Sequence, residues 1–73
     1  MRANRTLLHR KYARVVALFA RETGLSYDEA LRLFYGSQTY LLMREGVSDL
    51  HCMSDGYLSD ELKYEYRMLP TGF

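Results

Sequence analysis

Three glycine-centred breaks constrain this chain more than any other feature. Gly24-Leu25-Ser26, Gly36-Ser37 and Gly46 cut an otherwise helix-prone sequence into short segments. Isolated helices below about 12–15 residues are marginal in water, so such segments persist only by packing on one another. The first segment, Thr6 to Thr23, shows how. Leu8, Tyr12, Val15 and Phe19 recur at i, i+4, i+7 and i+11 and share one helical face. Val16, Leu18 and Leu7 widen that face to about half the circumference at about 100° per residue. Arg10, Arg14 and Arg21 fall opposite as a basic stripe. Thr6 or Asn4 can cap the start, and Gly24 suits the left-handed position that ends a helix.

The second segment opens with a capping box, Ser26 followed three residues later by Glu29, and Asp28 and Glu29 lie where the helix dipole favours acids. It predicts a helix from Tyr27 to Tyr35, with Ala30, Leu31 and Phe34 turned to the first helix and Tyr27 closing its end. Ser37 caps a third helix, Gln38 to Glu45, that stops at Gly46. Its Tyr40-Leu41-Leu42-Met43 run is apolar on every side, as in a helix that is enclosed or covered by something else.

Val47 to Met53 has no helical period, and Leu50-His51-Cys52-Met53 reads as extended. Ser54-Asp55-Gly56 is turn chemistry that can also cap a helix begun just after it. A last helix is expected from Tyr57 or Ser59 to Arg67, with Leu58, Leu62, Tyr66 and Leu69 on one face and Asp60, Glu61 and Glu65 on its flank. Pro70 bars helix at Leu69. The expected fold is all-α: one compact domain, 1–73, of three to four short helices, with 1–5 and 70–73 frayed. Its expected core is Leu8, Tyr12, Val15, Phe19, Leu31, Phe34, Leu41, Leu58 and Leu62.

The chain has 73 residues, 48% hydrophobic and 26% charged, the balance of a globular protein and not of a disordered one. A core of this size yields only about 3–5 kcal/mol, so the chain can lean on a partner or on a copy of itself. A single cysteine, Cys52, excludes an internal disulfide framework. With no signal-like start and no run near the roughly 20 apolar residues of a membrane span, the expected setting is a reducing cytoplasm without membrane contact.

The net charge of +1 hides a division. Residues 1–21 carry six bases and no acid, whereas 22–73 carry nine acids against four bases. Such asymmetry marks either a basic arm for nucleic acid or a basic helix lying against an acidic one. The near-zero total favours the self-neutralising arrangement, because it leaves little long-range pull on phosphate.

Signals for chemistry are sparse. His51 and Cys52, with Asp49, Asp55 and a distant His9, form the sole metal-like grouping. Adjacent residues of an extended segment point to opposite faces, and a structural zinc site wants four ligands in spaced pairs. The same adjacency does not orient a Cys–His nucleophile pair. No glycine-rich phosphate loop or serine nucleophile motif occurs. The expectation is therefore a non-enzyme with no cofactor and no metal.

Phe19-Ala20-Arg21-Glu22-Thr23-Gly24-Leu25-Ser26 resembles the turn of a helix-turn-helix DNA reader. Asp28-Glu29, however, occupy the helix end that should meet phosphates and base edges, and a generic αα-corner has the same spacing. Gly24-Leu25-Ser26-Tyr27-Asp28-Glu29-Ala30-Leu31-Arg32-Leu33-Phe34 also resembles the start of the second helix in ribbon-helix-helix antitoxins. In that family a basic strand precedes the first helix, whereas Met1-Arg2-Ala3-Asn4-Arg5 lacks the alternation of a strand.

A broader resemblance covers nearly the whole chain. The first amphipathic helix leads to Leu25-Ser26 with Glu29-Ala30, then Leu33-Phe34-Tyr35-Gly36-Ser37-Gln38-Thr39-Tyr40, and last Ser54-Asp55-Gly56-Tyr57-Leu58-Ser59-Asp60-Glu61-Leu62. This order is similar to a family of small bacterial proteins of unassigned function, whose genes often sit beside one for an ADP-ribosyltransferase-like protein. The resemblance implies an antitoxin-like or accessory binding module, with a toxin encoded nearby as its partner. It brings no catalytic residues with it.

Residue chemistry points the same way. Tyr35, Tyr40, Tyr57, Tyr64 and Tyr66, with Leu42 and Met43, exceed what so small a core can enclose, and Tyr and Met are enriched where surfaces meet partners. The expected partner-binding residues are Tyr35, Tyr40, Leu42, Met43, Tyr57 and Tyr64, acting through the third and fourth helices and the aromatic residues between them, for a partner protein or a second copy in a homodimer. The alternative is a nucleic-acid regulator using Arg10, Arg14 and Arg21.

Overall fold

A computed structural model describes residues 5–46, 50 and 52–68. It contains α1 (Arg5–Thr23), α2 (Tyr27–Tyr35), α3 (Gln38–Glu45) and α4 (Asp55–Met68), with no strand among the described residues. The all-α expectation holds. α1, the longest helix, packs mainly against α4 and α2, and α3 bridges α2 and α4.

Local chemistry sets the breaks. Gly24 turns the chain at φ 78° and donates its N–H to Ala20 O at 2.9 Å. Ser26 Oγ then accepts the Glu29 N–H at 3.1 Å and starts α2. Ser37 acts in both directions: its hydroxyl donates to Phe34 O at the end of α2 and accepts the Tyr40 N–H at the start of α3. Gly46, at φ 71°, closes α3. Both middle helices thus have the boundaries their cap residues predict.

α4 begins earlier than expected. Ser54 Oγ accepts the Tyr57 N–H and Ser54 O accepts the Leu58 N–H, so Ser54 is the cap and Asp55 and Gly56 form the first turn. Asp55, in that first turn, suits the positive helix end. The expected extended run through Leu50 and Cys52 is instead a 3₁₀ turn at those residues, with Met53 N–H donating to Leu50 O. Thr6, expected as a cap, lies inside α1, and Arg5, expected frayed, begins it. The readings on 1–4, Asp49, His51 and 69–73 lie outside the described residues.

The core joins Tyr12, Val15, Val16, Phe19, Ala20, Ala30, Phe34, Met43, Leu58 and Leu62. Full burial of Phe34 or Leu58 contributes about 1.5–3 kcal/mol each. Leu8 and Leu31 are only partly buried against this cluster, and Leu41, an expected core residue, is 40% exposed. Met43 takes its place. α3 is apolar all round, so periodicity could not orient it; packing buries Met43 and Thr39 and turns Leu41 outward.

Polar clamps tie α1 to α4. Lys11 Nζ lies 2.7 Å from Asp55 Oδ1 and donates to Met53 O, while Arg14 Nε donates to Asp55 Oδ2 at 3.0 Å. Further along, the buried Ser59 hydroxyl donates to Glu22 Oε1, and Lys63 sits 3.1 Å from the same oxygen and 3.0 Å from Asp60. Residue numbers rise together along both helices, so α1 and α4 run in the same sense. Basic α1 lies against acidic α4, the self-neutralising arrangement.

Candidate functional site

The site is built where α1 and α2 meet. On α2, Tyr27, Leu31 and Tyr35 succeed one another at i, i+4 and i+8, so they line one side of that helix. On α1, His9 and Ala13 are likewise one turn apart, with Tyr12 between them. These six residues enclose a groove of about 310 Å³. Tyr27 and Tyr35 are 44% and 52% exposed and form its outer wall. Ala13 keeps the opposite wall low, and no lining residue carries a carboxylate, guanidinium or ammonium.

Behind the groove lies a packed aromatic cluster. Tyr12 meets Phe34 at 5.2 Å and Tyr40 at 5.4 Å between ring centroids, and Tyr35 meets Tyr40 edge-on at 4.9 Å. His9 stands 6.0 Å from Tyr12, and the Arg44 guanidinium lies 5.6 Å over the Tyr40 ring. Edge-to-face pairs contribute about 0.5–1.5 kcal/mol each beyond area burial, so the cluster holds the Tyr35 wall rigid. The Tyr12 hydroxyl is buried with no hydrogen-bond partner among the described residues. Burial pushes its phenol above the ordinary range, and the neighbouring phenols of Tyr40 and Tyr35 add to the effect.

A second trough runs along the α2–α4 seam. Arg32, Leu33 and Tyr66 line both a cavity of about 80 Å³ over Phe19 and Leu62 and an adjoining depression of about 400 Å³ beside Leu25 and Glu29. Its walls carry the charged side chains of Glu29, Arg32 and Glu65, whereas the aromatic groove has no such lining.

The expected partner-binding residues divide among four places. Tyr35 and Tyr40 come together, but with α1 and α2 and not with α4. Met43, expected at the surface, is 1% exposed and belongs to the core. Leu42 is half-buried on α3. Tyr57 and Tyr64 are exposed on α4 without ring contact to any described aromatic. His9, Ala13, Tyr27 and Leu31 were not expected in a site; the α2 members could have been found from their i, i+4, i+8 spacing. Of the basic stripe, Arg14 is engaged by Asp55, while Arg10 and Arg21 are exposed and make no ion pair among the described residues. Among those residues no group of three or more His, Cys, Asp or Glu is placed to hold a metal ion, and no helix is long and apolar enough to cross a membrane. Comparison of the chain with protein-family models, curated proteins and solved structures finds no match.

Proposed function

We propose that this chain is a non-enzymatic protein-interaction module, antitoxin-like in action, that binds a partner protein through the aromatic groove between α1 and α2. The observation that carries this reading is the pair Tyr27 and Tyr35, half-exposed on one wall of the groove, with the Tyr35 end braced from behind by Phe34 and Tyr40. Rigid aromatic side chains bring large contact area at low entropic cost and dominate interface hot spots. A groove without charged lining recognises by shape and burial. An antitoxin-like module acts in that way, by covering a toxin's cleft or holding its mobile loops.

A second reading is nucleic-acid binding through Arg10 and Arg21, favoured by their exposure and lack of ion pairs among the described residues. It is weakened by the acids Asp28 and Glu29 in the first turn of α2 and by the capture of Arg14 by Asp55. The test is affinity capture with the tagged chain from a lysate of its source, divided into nuclease-treated and untreated halves. A stoichiometric protein retained after nuclease and at raised salt supports the module reading. Nucleic acid alone, lost on treatment, overturns it, because phosphate contacts weaken steeply with salt.

A further inference from the structure

We propose that the trough along the α2–α4 seam binds a free α-amino acid with an apolar side chain. Its carboxylate would lie on Arg32, its ammonium on Glu29 and its side chain in the cavity over Phe19 and Leu62. The site is separate from the aromatic groove and does not rest on the reading of that groove. Arg32 lines both the cavity of about 80 Å³ and the adjoining depression of about 400 Å³, so it stands at their junction. Glu29, three residues earlier on α2, lines the depression beside it, and residues so spaced are neighbours on a helix surface. Yet neither the guanidinium nor the Glu29 carboxylate makes a hydrogen bond or ion pair among the described residues. The capping bond to Ser26 uses only the Glu29 N–H. The other carboxylate of the trough, Glu65, is taken up by the Gln38 and Thr39 N–H groups and the Thr39 hydroxyl. The walls therefore offer one uncommitted cation and one uncommitted anion, side by side.

That pair of charges selects among ligands. An anion alone would face Glu29 and a cation alone would face Arg32, whereas a zwitterion meets both. A guanidinium takes a carboxylate through two parallel hydrogen bonds, and a carboxylate accepts readily from an ammonium with its three donors. The cavity beside Arg32 then selects the side chain. Its floor is apolar, with Phe19 and Leu62 only 1% and 2% exposed. Leu33 from α2 and Tyr66 from α4 form its walls, and Tyr66 stands edge-on to Phe19 at 6.1 Å between ring centroids. A volume of about 80 Å³ is about half that of a cavity that holds benzene, so it suits an aliphatic chain of about three to four carbons and not an aromatic ring. A ligand so placed touches α2 and α4 at once, two helices otherwise joined chiefly through α1 and α3. Its binding should therefore raise the melting temperature.

The test is an NMR titration of the full chain with L-leucine, followed through its backbone amide signals. Saturable shifts centred on Arg32, Leu33, Leu62 and Tyr66 are expected, with a Kd of about 1 mM, the range for a ligand of about nine heavy atoms. Glycine keeps both charges but lacks the side chain, N-acetyl-leucine lacks the ammonium, and leucinamide lacks the carboxylate. Each should bind at least about tenfold more weakly, as for loss of one main contact. Arg32→Gln and Glu29→Gln should weaken leucine by a similar factor. Both side chains are exposed and make no bond within the chain, so circular dichroism should show intact helices in both variants. The absence of saturable shifts at about tenfold the expected Kd overturns the inference, as does wild-type affinity for leucine in either variant. Equal binding of N-acetyl-leucine also overturns it, since that would assign the trough to the C-terminus of a peptide.

Discussion

The Glu65 carboxylate on α4 accepts the Thr39 N–H at 2.9 Å and the Thr39 hydroxyl, and its other oxygen accepts the Gln38 N–H at 2.7 Å. One side chain from the last helix thus completes the cap of α3, beside Ser37, and supplies a negative charge where the helix dipole favours it. Glu65→Ala should cost about 1–2 kcal/mol, the range for loss of an N-cap, and Glu65→Gln less because one acceptor remains. Urea denaturation of Glu65→Ala, Thr39→Val and the double variant should show coupling of at least about 0.5 kcal/mol. Additive losses would mean that the two residues act separately.

Asp55 joins α1 to α4 by electrostatics. Hydrogen bonding to Lys11 foremost, and then to Arg14, holds its carboxyl below the ordinary value of 3.8. A carboxyl depressed in the fold contributes stability that is whole above that ordinary value and is lost as pH falls through the lower, folded one. Glu22, lowered from 4.5 mainly by the Ser59 hydroxyl and Lys63, acts in the same direction. Thermal melts between pH 7 and pH 2 should therefore show stability falling in acid, and Asp55→Asn should flatten that dependence while lowering stability at neutral pH. An unchanged slope in Asp55→Asn would remove the clamp from the account.

Tyr12 buries a hydroxyl that finds no partner among the described residues. Tyr12→Phe keeps the ring contacts with Phe34 and Tyr40 and removes the desolvated group, so it should stabilise the fold by about 1 kcal/mol. A loss of stability measured by denaturant would mean that the hydroxyl is satisfied in solution.

Two glycines should respond oppositely to the same change. Gly24 sits at φ 78° with open space around a would-be Cβ, so Gly24→Ala meets only backbone strain and should cost about 1 kcal/mol. Gly36 has φ −93°, and an added Cβ would lie 3.6 Å from Arg32 O, an ordinary contact. Gly36→Ala should be neutral or stabilise by about 0.4–1 kcal/mol through the unfolded chain. Melting temperatures of the two variants check the contrast.

How far the sequence was legible depended on the range of the interactions. The bounds of α2 and α3 could be read because Ser26, Ser37 and Gly46 act on N–H and C=O groups within a few residues. The start of α4 could not, since Ser54-Asp55-Gly56 serves a turn and a helix cap equally well. Met43 was placed outside because a helix apolar on every side has no period to orient it. The Glu65 cap spans 26 residues and leaves no local trace. For the site, Tyr35 and Tyr40 stood out as surplus aromatics, but the groove needs His9 and Ala13 from α1 opposite Tyr27 and Leu31 from α2. Only the crossing of the two helices creates it.

The most direct test of the groove as a protein-binding surface is calorimetric titration of the nuclease-resistant partner, once captured, with wild type, Tyr27→Ala and Tyr35→Ala. The expected result is a loss of more than about 1 kcal/mol for each variant, as for anchor residues, with helical content unchanged. Wild-type affinity in both folded variants would contradict the account and move the binding surface elsewhere on the molecule.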